Sequence, residues 1–103
     1  MDMHPKKRLE LIIETPAQKR AERVLTDVGV TGYTVVPAMA GYGGHSRWRR
    51  GMDISSSRDM VVILSIMDEE KLIKAIEVLG SLLGDHIGVV SVSDVSVVRK
   101  DIF

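Results

Sequence analysis

Residues 7–29 read KRLELIIETPAQKRAERVLTDVG and contain both periodicities that decide the fold. Over the first eight residues apolar side chains alternate with charged ones, a period of two that predicts a strand with one buried face. Thr15, the proline after it and Gln18 form the capping pattern that begins a helix. Apolar residues then recur at helical spacing up to Gly29, which predicts the helix end.

The same strand–helix–strand order occurs a second time after a long loop. Predicted strands cover 7–14, 33–40, 59–67 and 88–98, the helices begin at Thr15 and Asp68, and the loop covers 41–57. This order is typical of an α+β, ferredoxin-like βαββαβ sandwich, in which two helices cover one face of a four-stranded antiparallel sheet. We expect one domain over residues 1–103, with 1–5 as a disordered tail.

The other face of the predicted sheet has no helix to cover it. The third strand is apolar on both faces, since residues 60–64 are all hydrophobic. Parts of the fourth strand have the same composition. An apolar face of this size is unusual on a soluble monomer. The sequence therefore predicts a homo-oligomer that buries its sheet faces against one another.

Composition excludes several classes of protein. The 103 residues contain no cysteine, which excludes disulfides and thiolate metal sites. No apolar run reaches the length of a membrane-spanning helix, about 18 residues, and no signal-peptide pattern precedes the first strand, so we expect a cytoplasmic protein. Fourteen basic and fourteen acidic residues give zero net charge, which disfavours a nucleic-acid binder.

The charges are unevenly distributed along the chain. No Asp or Glu occurs in residues 28–52, yet Arg47, Arg49 and Arg50 all lie in this window. Glycine amides can approach an anion closely, and guanidinium groups bind oxyanions with paired hydrogen bonds. The loop 41–57 therefore predicts an anion site, although a solvated hairpin without a ligand is also compatible with its sequence.

Nothing in the chain predicts catalysis. His4, His45 and His86 are scattered, which is typical of isolated surface histidines rather than of a metal site. The turn 84–88 could bind a phosphate through its backbone amides, but a plain helix-to-strand turn accounts for it equally well. We therefore expect neither an enzyme nor a metal site.

Three short motifs resemble the PII signal-transduction family. Residues 29–35 (GVTGYTV) are similar to the family's turn into its second strand, Gly41-Tyr42-Gly43 to the start of its long T-loop, and Asp94-Val95 to a pair in its last strand. The resemblance covers residues 6–100. It implies a homotrimer that binds an adenine nucleotide in each inter-subunit cleft and signals through the T-loop, here 41–57, with Trp48 at the partner contact.

Within that family the chain most resembles the carboxysome-associated and bicarbonate-transporter-associated PII branch. The runs GYTVV at 32–36 and SRWRR at 46–50 look like motifs of that branch. The resemblance implies ADP or AMP as the nucleotide, bicarbonate as a second ligand, and a bicarbonate transporter or carboxysome component as the partner. A guanidinium fork or a nest of glycine amides suits bicarbonate, because bicarbonate is a small planar anion.

Other positions depart from the nitrogen-regulating PII proteins. Arg49 occupies the place of their uridylylated tyrosine, while His45 and Asp59 stand where those proteins use glutamine and lysine around 2-oxoglutarate. Val89 replaces the lysine that reaches a nucleotide phosphate. We therefore expect no uridylylation, do not expect 2-oxoglutarate sensing, and expect ADP or AMP to be preferred over a triphosphate.

The resemblance and the loop chemistry together assign the site residues. For the nucleotide they are Gly32 and Thr34 near base and ribose, and Gly41, Gly43, Arg47, Arg50, Gly88, Arg99 and Lys100 around the phosphates. For bicarbonate they are Gly41, Gly43, His45 and Arg47. Two alternatives stay open: a nitrogen-type PII regulator of a transporter or enzyme, and a structural or metal-tolerance trimer of the same fold. An RNA-recognition module is disfavoured, because the first and third strands lack aromatic residues.

Overall fold

The computed structural model describes residues 2–43, 46–49, 51 and 59–99. Its strands are β1 (His4–Glu14), β2 (Thr34–Pro37), β3 (Ala40–Gly43), β4 (Ser46–Arg49), β5 (Met60–Met67) and β6 (Gly88–Val97). Its α-helices are α1 (Gln18–Val28), which follows a 3-10 turn at Thr15–Ala17, and α2 (Glu69–Asp85). In the described part of the chain, neither helix is long and apolar enough to cross a membrane.

The main sheet has four strands in the order β2-β5-β1-β6, and every neighbouring pair is antiparallel. This confirms the predicted ferredoxin-like α+β fold. Strand β1 lies in the middle because β5 pairs with it on one side and β6 on the other. As a result, β2 and β6 form the two outer edges, and two whole strands separate them.

The core forms on one face of this sheet, where the period-two pattern of β1 points its apolar side chains. Leu9, Leu11 and Ile13 are completely buried there. Helical residues from both helices complete the same cluster, namely Ala21, Leu25, Leu72, Ala75 and Leu79. Burying one such aliphatic side chain stabilises a fold by about 1.5–3 kcal/mol relative to leaving it in water, so this face holds the helices in place.

The opposite face is a mixture of apolar and charged strips. Residues 60, 62, 64 and 66 of β5 form the apolar strip, beside Val36, which is 42 % exposed. The neighbouring strip on β1 is charged, since Arg8 and Glu10 share this face and their side chains lie 3.6 Å apart. No helix of the described chain packs here. The predicted apolar face is therefore present on β5 and interrupted on β1.

Strand β1 begins three residues earlier than the sequence predicts. His4 pairs with Val97 and Pro5 pairs with Ser96, so the expected tail at 1–5 was wrong for these two residues. The reason is the length of β6, which continues past the last β5 partner of β1 at Lys7. Beyond that point β1 is an edge on its β5 side, and an edge tolerates a proline.

The region predicted as a strand at 33–40 and a loop at 41–57 is divided differently. Strand β2 ends at Pro37, which has no N–H to continue a ladder. Ala40–Gly43 then pairs with Ser46–Arg49 as a separate two-stranded sheet. The start of the predicted loop is therefore a β-hairpin arm, whose pairing no alternation of apolar residues signals.

The predicted helix signals around α1 were partly correct. Gly29 ends the helix in the left-handed region at φ 94°, and its N–H donates to the carbonyls of Leu25 and Thr26. Thr15, in contrast, caps no amide. Its hydroxyl donates to the carbonyl of Asp59 at 3.0 Å, which ties the end of β1 to the residue before β5.

Candidate functional site

The β3–β4 hairpin brings three predicted anion ligands into one small sheet. Gly41 lies opposite Trp48, Gly43 opposite Ser46, and Arg47 opposite Tyr42. Arg47 pairs with Tyr42, the residue between the two glycines, so it lies one residue out of register with each of them. Directly paired residues have Cα atoms about 5 Å apart. The hairpin therefore places a guanidinium-bearing residue beside two glycine backbones. The predicted ligands His45, Arg50 and Lys100 lie outside the described residues.

The segment 32–34 at the start of β2 is anchored from two sides. The Oγ of Ser65, a buried side chain of β5, donates to the carbonyl of Gly32 at 2.7 Å. On the other side the Tyr33 hydroxyl donates to Glu22 of α1 at 2.5 Å. This hydrogen bond to a carboxylate raises the pKa of Tyr33 above its usual range. Thr34, exposed at the start of β2, is thus held in one position.

Gly88 is required by packing at the start of β6. A Cβ atom at this position would lie 2.8 Å from the carbonyl oxygen of Ile12 and 2.9 Å from Cδ2 of Leu83. Both distances are shorter than real Cβ contacts allow. The glycine therefore lets β6 approach β1 closely, whether or not its backbone also meets a ligand.

The predicted nucleotide residues do not meet within one chain. Gly32 precedes β2 and Thr34 begins it, while Gly88 lies on β6 at the other edge. Three inter-strand steps, about 14 Å, separate the two edges, and Gly88 is also displaced along the strands, in register with Pro37. Arg99 follows the far end of β6. The ten residues of that strand separate it from Gly88 by about 33 Å. A site that uses all of these residues needs more than one copy of the chain.

Sequence reasoning missed a polar cluster at the turn before β6. His86, interpreted as an isolated surface histidine, is half-buried, and its Nδ1 lies 2.8 Å from Oε1 of Glu14. Its Nε2 lies 3.0 Å from Nη1 of Arg20. No local motif indicates this cluster, because the three residues come from β1, α1 and the turn after α2.

The opposite end of the sheet carries an open groove with paired charges. The Nζ of Lys6 lies 2.5 Å from Oδ1 of Asp68, and the Nζ of Lys7 lies 2.5 Å from Oδ1 of Asp94. The hydrogen bond from Lys6 lowers the pKa of Asp68, and the hydrogen bond to Asp94 raises the pKa of Lys7. Because each lysine already has a carboxylate partner, the groove has no excess positive charge for an anion. Among the described residues no group of three metal-ligating side chains occurs.

The family model described as nitrogen regulatory protein P-II matches residues 6–102. This chain belongs to that family. The match confirms the PII resemblance drawn from the three sequence motifs. A comparison with curated protein sequences found no match.

Solved structures of this family superpose on nearly the whole chain. CPII, a nitrogen regulatory PII-like protein from Thiomonas intermedia K12 bound to ADP, AMP and bicarbonate, has a TM-score of 0.90 and 29 % identity over 99 % of this chain and 96 % of that chain. CPII bound to ADP, AMP and acetate has a TM-score of 0.81 and 30 % identity, covering 100 % and 98 %. A PII-like signaling protein from Thermus thermophilus, 24 % identical with a TM-score of 0.83 over 98 % and 97 %, shares the fold.

Proposed function

We propose that this protein is a PII-like regulator that binds ADP or AMP together with bicarbonate. The observation that carries the proposal is the similarity over 99 % of the chain to CPII in complex with ADP, AMP and bicarbonate. Its role is regulatory rather than catalytic. It reports the energy and inorganic-carbon status of the cell through the T-loop at 41–57.

The binding sites lie in clefts between the subunits of a homotrimer. Two observations support this assembly. The predicted nucleotide residues occupy both outer edges of the sheet, on β2 and β6, and the open sheet face carries an apolar strip on β5. In the trimer, Gly32 and Thr34 of one subunit face Gly88 of its neighbour, and Arg99 and Lys100 reach the phosphate site from a subunit other than the one that supplies Gly88.

Bicarbonate binds at the base of the T-loop beside the nucleotide phosphates. The ligands are the backbone amides at Gly41 and Gly43 and the side chains of His45 and Arg47. The hairpin register supports this assignment, since it places Arg47 one step from both glycines. Arg50 follows three residues after Arg47 and binds the nucleotide phosphates. Two anions bound to one loop couple their affinities, because each orders backbone that the other needs.

The partner that reads the T-loop is a bicarbonate transporter or a carboxysome component. The motifs GYTVV at 32–36 and SRWRR at 46–50 support this branch of the family. A nitrogen-type regulator is the second candidate, because the matching family model describes nitrogen regulatory proteins. The two differ in their second ligand, which is bicarbonate for the first and 2-oxoglutarate for the second.

Isothermal titration calorimetry separates these functions. The protein is titrated with ADP, AMP and ATP, each with and without bicarbonate or 2-oxoglutarate, and its mass is followed by sedimentation. We expect a trimer that binds ADP and AMP more tightly when bicarbonate is present. Enhancement by 2-oxoglutarate instead would identify a nitrogen-type regulator. Binding of none of the nucleotides would overturn both candidates and favour a structural or metal-tolerance trimer.

A further inference from the structure

Three elements of the fold meet at the turn 84–88 through one histidine. Glu14 ends β1, Arg20 lies in the first turn of α1, and His86 follows the last residue of α2. The turn is also held to β1 by its backbone. The N–H of Glu14 donates to the carbonyl of Ile87 at 3.1 Å, and the N–H of Ile87 points to Oε1 of Glu14 at 3.4 Å. Glu14 is therefore a fixed point of this turn.

The neighbours of His86 assign its tautomer. A guanidinium group has only donors, so Nε2 of His86 must accept the hydrogen bond from Nη1 of Arg20 at 3.0 Å. The proton of the neutral ring then resides on Nδ1, which donates to Oε1 of Glu14 at 2.8 Å. The arrangement is a chain in which Arg20 donates to His86 and His86 donates to Glu14.

Protonation of His86 breaks one end of this chain. The charged ring carries a second N–H on Nε2, which would face the N–H groups of Arg20. Two donors, both on cations, cannot share a 3.0 Å contact. The bond to Glu14 is kept, because a carboxylate accepts from a neutral or a charged ring. The guanidinium of Arg20, a residue that is exposed at the protein surface, must then move away.

Other charges near this turn are few among the described residues. Asp85 precedes His86 at the end of α2, and Asp59 lies before β5 at the same end of the sheet. Asp59 bonds Thr15 through its carbonyl, and its carboxylate accepts from the N–H of Gly51 at 3.3 Å. Glu14 and Arg20 are the two charged side chains that hydrogen-bond the imidazole ring.

We propose that Arg20 is a phosphate-binding side chain of the nucleotide cleft, and that neutral His86 holds it back until protonation releases it. The turn that carries His86 leads directly into Gly88, so a released Arg20 reaches an oxyanion bound there. This inference rests on the proposed nucleotide function. Binding of the nucleotide is then accompanied by proton uptake at His86. By linkage, a lower pH within the range where histidines titrate, about pH 5–8, strengthens nucleotide binding.

The group that Arg20 would bind is an oxyanion, and two ligands of the proposed site carry one. The first is the terminal phosphate of ADP or AMP, and the second is bicarbonate. Titrations with AMP and ADP in bicarbonate-free buffer, and then with bicarbonate added at saturating ADP, distinguish them. An effect of Arg20→Gln in the first titrations assigns the phosphate. An effect confined to the second assigns bicarbonate and overturns the assignment to phosphate.

Proton uptake is measured by calorimetry at about pH 6.5, within the range where histidines titrate, in two buffers of different ionisation enthalpy. The variant His86→Gln controls for proton exchange by the nucleotide itself, because its amide oxygen still accepts a hydrogen bond from Arg20 but is not protonated in this pH range. A terminal phosphate itself titrates near about pH 6, and it loses protons when a guanidinium binds it. The ring nitrogens of His86 are therefore also followed by NMR with and without saturating ADP. We expect ADP binding to protonate the His86 ring in wild type, and a ring that gains no proton on ADP binding would overturn the proposal.

Arg20→Gln tests the ligand directly. We expect ADP affinity to fall about tenfold near pH 6.5 and much less near pH 8, where Arg20 is held by His86 in wild type. His4→Gln is the matched histidine control, because His4 lies at the other end of β1 opposite Val97. It should take up protons as wild type does. Wild-type affinity in Arg20→Gln at both pH values would exclude Arg20 from the site, whereas failure of wild type to bind any nucleotide would overturn the proposed function itself.

Discussion

Gly88 and Ile12 approach so closely that a Cβ atom on Gly88 would lie 2.8 Å from the carbonyl oxygen of Ile12. The contact is between two backbones in the sheet, so neither partner can rotate away. The start of β6 is therefore locked against β1 at the same turn that holds the Glu14–His86–Arg20 chain.

This contact predicts that Gly88→Ala destabilises the protein. A clash with backbone and with the buried side of Leu83 must be relieved by a shift of β6, at a cost of about 1–3 kcal/mol in the free energy of unfolding. Urea denaturation measures it. Gly80→Ala is the matched control, because Gly80 lies within α2 and a Cβ atom added to it would have no neighbour within 4 Å. It should be neutral or stabilising by about 0.5–1 kcal/mol, and an equal loss in both variants would contradict the packing argument.

The Lys6–Asp68 ion pair predicts how the carboxyl group of Asp68 titrates at low pH. The hydrogen bond from Lys6 lowers the pKa of Asp68 below 3.8. The contribution of the pair to stability is therefore present above about pH 3.8 and is lost as pH falls through the lowered value. In Lys6→Met, the pKa of Asp68 should return towards 3.8, as followed by NMR of the carboxyl carbon. Lys19→Met, on the exposed surface of α1, should leave the Asp68 titration unchanged. A titration unaltered by Lys6→Met would show that the pair does not form in solution.

The open sheet face predicts that one charge on β5 prevents assembly. Leu64 lies in the apolar strip of that face, opposite Glu10 of β1 and Thr34 of β2. Leu64→Glu would bury an unpaired carboxylate in the subunit interface, which costs several kcal/mol. We expect a monomer by sedimentation and loss of nucleotide binding. Ile73→Glu places the same charge on α2, where Ile73 is 58 % exposed, and should remain a trimer. Trimeric Leu64→Glu would remove the sheet face from the interface.

The β3–β4 hairpin predicts that Arg47 binds the nucleotide phosphates and bicarbonate. Removing one charged hydrogen-bond partner weakens binding by about tenfold or more. We therefore expect Arg47→Ala and Arg50→Ala each to weaken ADP binding, measured by calorimetry with and without bicarbonate. Arg23→Ala, an exposed arginine of α1, controls for the loss of a positive charge alone. Wild-type ADP affinity in both loop variants would exclude the loop arginines from the site.

Much of the fold and the family follow from the sequence because their signals are local. The alternation in residues 7–14 and the helical spacing up to Gly29 each need only neighbours in the chain. The motifs at 29–35 and 41–43 likewise identify the PII family without any knowledge of contacts. The candidate site residues remain predictions from the family resemblance and the loop chemistry, and neither source indicates how these residues lie relative to one another.

Tertiary structure decided which residues face one another, because pairing joins residues far apart in the chain. His4 enters β1 only because β6 supplies Val97 as a partner. The Nδ1 of His86 meets Glu14 across 72 positions of sequence, and no local pattern encodes that meeting. Strand order likewise places Gly32 and Gly88 at opposite edges of the sheet. The sequence by itself determined the elements and the family, whereas the packing of β1 between β5 and β6 decided that the proposed site residues of one chain lie at opposite edges of its sheet.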